Sequence, residues 1–135
     1  MDALEYFKNL KPEDWDKPVT EKWRVKDVLS HLVGWEREVA VELPKYFETK
    51  VNPWFMETDD YSDFNRRIQG EFSGHSPEAL LAELAKWGKV RDTEIERLGE
   101  ANIRKMPHMD WIFDEGAEPH FDHHIAQVRS ALSPN

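Results

Sequence analysis

A long amphipathic stretch constrains the fold of this chain more than any other feature. Between Val25 and about Thr49, apolar residues recur every three or four positions, which is the spacing of one helix face. The pattern predicts a helix roughly six turns long that must bury one side. Pro44 predicts a kink or an early end to its regular part, because proline lacks the amide hydrogen that a helix uses. The apolar stripe consists of Val25, Val28, Leu29, Leu32, Trp35, Val39, Leu43 and Phe47.

Two further segments carry clear helix signals. Ser76 followed by Pro77 predicts a helix start, because serine can cap the first turn and proline fits the first helical position. Apolar residues spaced by three and four extend this helix to about Gly99. A last helix is predicted over Ala117–Leu132, where one apolar stripe runs beside a stripe of histidines.

Shorter segments complete the predicted architecture. A short helix over Asp2–Leu10 precedes an ordered connector that ends at Arg24, and another helix runs from about Asp60 to Phe72. The segment VNPWFMETDDYS reads as a loop with exposed aromatic residues. The sequence therefore predicts one all-α domain over residues 1–135, an antiparallel four-helix bundle with a short first helix.

Charge and composition exclude several classes of partner. Lys and Arg number 18 against 27 Asp and Glu, and the net charge of −9 repels nucleic acid phosphates. No apolar run approaches the length of a membrane span, and the N-terminus lacks the basic start and apolar stretch of a secretory signal. The chain contains no cysteine, as is usual in a reducing compartment. We therefore expect a cytoplasmic protein with neither nucleic acid nor membrane as partner.

Three histidines are spaced as a metal site requires. His120 and His124 lie four residues apart, so both face one side of the last helix and can bind a single Zn²⁺, Ni²⁺ or Fe²⁺. His31 falls on the buried face of the long helix and is the natural third ligand, because an unpaired buried imidazole is costly. The alternative is that His120 and His124 are capping or surface residues and His31 is a hydrogen-bonded core residue.

The other histidines are expected to play smaller roles. His123 lies about 100° from its neighbour around the helix and should sit at the rim or in solvent. His75 precedes a helix start, which favours a surface position. His108 lies in a loop that could cover a pocket.

Two motifs resemble those of the DinB-like superfamily. The segment WRVKDVLSHLVGWEREV is similar to its second-helix motif with an inward histidine, and HFDHHIAQV is similar to its closing motif of two histidines and a glutamine. The resemblance is strongest to the ClbS/DfsB branch. It rests on the segment HLVGWE, on Asp63, Phe64 and Asn65, and on the final segment HHIAQVR. The resemblance covers nearly the whole chain.

This resemblance implies a four-helix bundle and a metal held by three histidines. Those positions map onto His31, His120 and His124, with water or substrate completing the coordination. Two departures stand out: the first helix is shorter than is usual in the family, and some ClbS-like relatives lack the histidines and work without metal. Because the family is chemically diverse, its fold does not name a reaction.

A site with three neutral histidines leaves an open position, which is typical of catalytic rather than structural metal sites. The metal could then acidify a bound water, polarise a carbonyl or hold a thiolate. Glu36 and Asp122 are candidate general bases, although each is better interpreted as a solvated carboxylate or as one that contacts the site's ligands and not the reacting centre. The catalytic residues are not identified by the sequence.

Aromatic residues predict a substrate pocket near the histidines. Trp35 and Trp111 would wall the pocket, and Asn65 would offer a donor and an acceptor to substrate, unless it is simply a surface amide. Trp54 and Phe55 could close the opening, or serve as core plugs or a dimer contact. Exposed aromatics and a short first helix make a homodimer plausible.

The leading functional hypothesis is a metal-dependent enzyme that acts on a small electrophilic molecule by hydrolysis or thiol transfer. A second hypothesis is a metal-free binding or self-protection protein of the ClbS kind. A third is a structural or stress-response bundle whose histidines bind adventitious metal. Metal content and its dependence on His31 discriminate among the three.

Overall fold

The computed structural model describes residues 3–106 and 120–133, without the side chains of His120 and Phe121. Within those ranges it contains no β-strand, and one isolated antiparallel bridge joins Pro18 to Arg24 in the connector between the first two helices. The predicted all-α class is confirmed, with a first helix of only six residues. The helices are α1 (Ala3–Lys8), α2 (Val25–Thr49), α3 (Ser62–Phe72), α4 (Pro77–Leu98), α5 (Glu100–Arg104) and α6 (His120–Leu132).

Helix α2 is the centre of the bundle and packs against α3, α4 and α6. Its predicted bounds are confirmed, and its apolar stripe forms much of the core. Of the two effects expected of Pro44, an early end of the regular helix is wrong, since α2 continues to Thr49, and a kink stays a prediction. Pro44 cannot donate a backbone hydrogen bond within the helix. The apolar burial of Leu43 and Phe47, which pack in or against the core, outweighs that loss.

Helix α3 lies so close to α2 that a glycine is required at their contact. A Cβ atom at Gly34 would come within 2.8 Å of two side-chain carbons of Ile68. The amide of Gln69 donates to the backbone carbonyl of Asp27 at 2.8 Å, which also fixes α3 along α2. These contacts hold the side chains of α3 in a defined register beside α2.

Helix α4 begins as the sequence predicts. The hydroxyl of Ser76 accepts a hydrogen bond from the backbone amide of Ala79 at 3.1 Å, so it satisfies one donor of the first turn. The helix ends at Leu98, and Gly99 takes a positive φ of 93° before the short helix α5 begins. Glycine tolerates that conformation without the steric cost that a side chain would add.

The loop between α2 and α3 corrects one sequence-based expectation. Trp54–Met56 forms a 3₁₀ turn, in which Phe55 is buried and Trp54 is half-buried rather than exposed. The ring of Trp35 lies 5.9 Å from that of Trp54 and 5.6 Å from that of Phe55. The loop aromatics therefore act as core plugs, because burying their rings stabilises the fold more than exposure would.

Other predictions about the chain's ends and boundaries have mixed outcomes. The connector before Arg24 is ordered, as expected, and includes a 3₁₀ turn over Pro12–Asp14. The last helix covers His120–Leu132, and positions 117–119 of its predicted range lie outside the described residues. None of the described helices is both long and apolar enough to cross a membrane. A single domain over 1–135 stays a prediction.

Candidate metal centre

Helix α2 places His31 on its buried face, where the sequence predicts it. The side chain is 6% exposed. Its ring lies 4.8 Å from the ring of Trp23, which comes from the connector just before α2. On another side it meets the ring of His124, at a centroid distance of 4.6 Å and an interplanar angle of 69°. Two of the three predicted ligands are thus in direct contact.

The packing of α6 on the core places His124 beside His31. Ile125 and Val128 are buried and seat α6 against the core. His124 lies beside this apolar face and is half-buried. The contact between the two histidines therefore follows from the packing of α6 on α2.

Each histidine is held by a side-chain amide. Nδ1 of His31 lies 3.1 Å from Oδ1 of Asn65 on α3. Nδ1 of His124 lies 3.0 Å from Oε1 of Gln127, which is three residues further along α6. Both rings are therefore oriented by a contact at the same nitrogen, although the two amides come from different helices.

Burial lowers the pKa of His124 from its usual value of 6.5, because the charged imidazolium loses solvation there. The hydrogen bond with Gln127 opposes this shift in pKa, and the nearby His123 reinforces it. The net effect favours the neutral imidazole at neutral pH. A neutral ring is the form that binds a metal ion.

Two other predicted site residues cannot be placed. His120 belongs to α6, but its side chain lies outside the described residues, and so does Trp111. Among the residues that the structure describes, no group of three or more His, Cys, Asp or Glu side chains could hold a metal ion. The described donor set is thus a pair of imidazoles, and imidazole suits Zn, Ni and Fe. The three-histidine site stays a prediction.

The predicted substrate-binding residues Trp35 and Asn65 both lie near His31. Trp35 is 6% exposed, and its ring packs at 4.5 Å from that of Phe64 and 5.3 Å from that of Tyr61. Most of its surface already contacts protein. Asn65 is half-buried, and its amide oxygen contacts His31, so it is not a simple surface amide. Substrate binding by either residue stays a prediction.

The two candidate general bases have different surroundings. Glu36 is 3% exposed, and its carboxylate accepts from the guanidinium of Arg91 on α4 at 2.5 Å, so the first of its two predicted alternatives, a solvated carboxylate, is wrong. Five residues along a helix correspond to about 140° of rotation, which turns Glu36 away from the face that carries His31. Asp122 is exposed, as expected.

The structure places two of the remaining histidines. His123 is exposed, so its expected placement at the rim or in solvent is confirmed. His75 is half-buried, with its ring 5.0 Å from that of Phe72, and the expected surface position is only partly right. His108 lies outside the described residues.

Sequence reasoning assigned no role to three residues that shape this region. Trp23 packs on His31, Gln127 holds His124, and Arg91 neutralises Glu36. A signal was present for Gln127, because it follows His124 by three residues and shares its helix stripe. The position of Arg91 beside Glu36 depends on packing between α2 and α4, which periodicity does not specify.

Comparison with known proteins gives one family. The family described as mycothiol maleylpyruvate isomerase N-terminal domain matches residues 3–109. The matched range includes His31 and Asn65 and ends before α6, so His124 and Gln127 lie beyond it. No curated protein matches the chain, and no solved structure does.

Proposed function

The chain belongs to the mycothiol maleylpyruvate isomerase N-terminal domain family, within the DinB-like superfamily, and from this membership we propose a metal-dependent enzyme. Its substrate is a small electrophilic molecule, and its reaction is thiol transfer or hydrolysis. The family's description pairs a thiol, mycothiol, with an isomerase of maleylpyruvate, which favours the thiol reaction. The finer resemblance to the ClbS/DfsB branch supports the alternative function considered below.

One observation carries this proposal, namely the contact between His31 and His124. Their ring centroids lie 4.6 Å apart and come from two helices, α2 and α6, that are distant in the sequence. We propose His120 as the third ligand, because it precedes His124 by one helical turn. The metal would be Zn, Ni or Fe, which imidazole ligands suit.

When bound, such an ion would stabilise a thiolate or polarise a carbonyl of the substrate. The chain's own residues prepare the site for that chemistry. Burial keeps His124 neutral by lowering its pKa, and Trp23 covers one side of His31 with an apolar ring. Limited access of water around the two imidazoles strengthens electrostatic interactions there.

Elemental analysis of untagged protein tests the metal site. We expect about one Zn, Ni or Fe ion per chain in the wild-type protein, as in a mononuclear three-histidine site. His31→Ala, His120→Ala and His124→Ala should each lose the metal, whereas the exposed neighbour His123→Ala should keep it. Equal loss in all four variants would contradict the assignment of ligands.

An activity assay tests the reaction class separately. Maleylpyruvate is incubated with mycothiol and with wild-type protein loaded with Zn²⁺, and His31→Ala serves as the control. Consumption of maleylpyruvate that needs thiol, metal and His31 would support thiol chemistry. Consumption that proceeds without the thiol would point to hydrolysis, and no consumption would remove maleylpyruvate as a substrate.

A metal-free binding protein of the ClbS kind is the alternative. It would retain no metal after incubation with excess Zn²⁺ or Ni²⁺, and its aromatic cluster around Trp35 would take up the reactive molecule. Adventitious metal binding would give a third result in the elemental analysis, because metal affinity would then be the same in His31→Ala as in the wild-type protein.

We further propose a cytoplasmic protein whose partners are a small-molecule substrate and a second copy of the chain in a homodimer.

A further inference from the structure

We propose that Asn65 and Gln127 are positioning residues that select the same tautomer in both histidines. In this tautomer the proton of the neutral ring resides on Nδ1, and the lone pair resides on Nε2. The assignment rests on two contacts, of Nδ1 of His31 with Oδ1 of Asn65 at 3.1 Å and of Nδ1 of His124 with Oε1 of Gln127 at 3.0 Å. A role in metal affinity rests in addition on the proposed function.

The chemistry of the two contacts fixes the direction of each hydrogen bond. The amide oxygens of Asn65 and Gln127 can accept but cannot donate. Nδ1 of His31 and Nδ1 of His124 must therefore donate. A neutral imidazole carries one proton, so donation from Nδ1 leaves Nε2 as the basic nitrogen of each ring.

The amide of Asn65 is placed by packing that does not involve His31. Helix α3 lies against α2 through the close approach of Ile68 to Gly34 and through the bond from Gln69 to Asp27. Asn65 is one turn before Gln69 on α3, so the same packing sets its position relative to α2. The acceptor for His31 is thus built into the interface between the two helices.

The amide of Gln127 reaches His124 by a local route. The two residues are three positions apart on α6, a spacing that brings side chains together on one helix face. One acceptor is supplied across a helix interface and the other within a helix, yet both meet the ring at Nδ1. Two independent structural routes to one tautomer support selection rather than coincidence.

This assignment changes the role expected of Asn65. Its amide oxygen is engaged by His31, so Asn65 acts on the site through that ring instead of through substrate. Partners that orient metal-binding histidines typically raise metal affinity by about 10–100-fold. If the proposed function holds, removing either amide should weaken metal binding by a factor in that range.

NMR spectroscopy of the metal-free protein measures the tautomers directly. Long-range proton–nitrogen NMR correlations at about pH 8, where histidine is neutral, distinguish Nδ1–H from Nε2–H rings. Wild-type protein should show Nδ1–H for His31 and His124. Nε2–H at either ring would overturn the assignment for that histidine, because its Nδ1 would then be the acceptor.

Paired variants then identify the groups responsible. Asn65→Leu and Gln127→Met remove the acceptor, and each should release the Nδ1–H preference of its own histidine only. Asn65→Asp and Gln127→Glu keep an oxygen acceptor and should retain that preference. Asn52→Leu is the matched control, because it removes an exposed amide whose contact is with Glu57, outside α3 and α6, and it should leave both tautomers unchanged. Unchanged tautomers in Asn65→Leu and Gln127→Met would contradict the proposal.

Zn²⁺ competition with a chelator provides a second readout in the same variants. Affinity should fall by about 10–100-fold in Asn65→Leu and Gln127→Met and remain near the wild-type value in Asn52→Leu. Nδ1–H tautomers in a wild-type protein that binds no Zn²⁺ would reject the proposed function and leave the positioning role intact. Nε2–H tautomers in a protein that binds Zn²⁺ through His31 would reject the positioning role and leave the proposed function intact.

Discussion

The imidazole rings of His31 and His124 meet edge to face at a centroid distance of 4.6 Å, although one belongs to α2 and the other to α6. Two packing relationships produce this contact. The apolar stripe of α2 fixes which side His31 faces, and burial of Ile125 and Val128 seats α6. The contact is therefore sensitive to the packing of the bundle.

The closest helix contact predicts a large effect of a single methyl group. Gly34→Ala places a Cβ atom 2.8 Å from both Cγ1 and Cγ2 of Ile68, so one side-chain rotation cannot relieve the clash. We expect a loss of about 1–3 kcal/mol in the free energy of unfolding, as for other overpacked cores. Urea denaturation monitored by circular dichroism measures it.

Gly70→Ala is the matched control, because its Cβ would meet nothing within 4 Å. It should be neutral or stabilise the protein by up to about 1 kcal/mol, since alanine favours helix more than glycine does. If the two variants were equally stable, the close approach of α3 to α2 would be wrong.

The buried ion pair predicts strongly non-additive mutations. Arg91→Met removes the guanidinium from a carboxylate that is 3% exposed at Glu36, and we expect a loss of about 3–5 kcal/mol in stability. The double variant Glu36→Met with Arg91→Met should recover most of that loss, because no buried charge remains. Chemical denaturation of both variants and of Glu36→Met forms a complete cycle. Additive losses would show that the two side chains do not interact.

The pair of Arg37 and Glu71 predicts a defined dependence of stability on pH. The hydrogen bonds from Arg37 hold the pKa of Glu71 below its usual value of 4.5, and Glu71 favours the folded state while it is ionised. This contribution is present above pH 4.5 and is lost as the pH falls through the lower folded-state pKa. Because the pair is partly exposed, solvent screening reduces the effect.

Glu71→Gln should therefore be less stable than wild type at neutral pH and should approach it in strong acid. Glu100→Gln is a suitable comparison, because Glu100 pairs with Arg104 within α5 and does not bridge α2 and α3. Urea denaturation across the acidic range gives the comparison. A stability difference between wild type and Glu71→Gln that does not change with pH would argue against this role.

Much of the fold follows from local patterns in the sequence. The spacing of apolar residues locates α2 and places His31 on its inner side, and Ser76 with Pro77 marks the start of α4. These features are readable because helix periodicity and capping depend on residues close in sequence. The proline in α2 misleads for the same reason, since local propensity omits the packing that holds the last turns together.

The environment of the site is less readable, because it depends on residues distant in sequence. The sequence allows Glu36 to be solvated, and only the packing of α4 shows that Arg91 lies beside it. The sequence offers Asn65 as a substrate-binding residue or a surface amide, and only the packing of α3 shows that its amide oxygen contacts His31. Periodicity tells which face a side chain occupies but does not identify its partner across a helix interface.

The location of a bound metal decides whether His31 and His124 are ligands. Crystals of the untagged protein grown with Zn²⁺ would be measured at the zinc absorption edge, where anomalous scattering identifies the ion. We expect one peak with Nε2 of His31 and Nε2 of His124 both at about 2.0–2.1 Å. A peak that contacts only exposed histidines such as His123, or no peak after soaking with excess Zn²⁺, would contradict it.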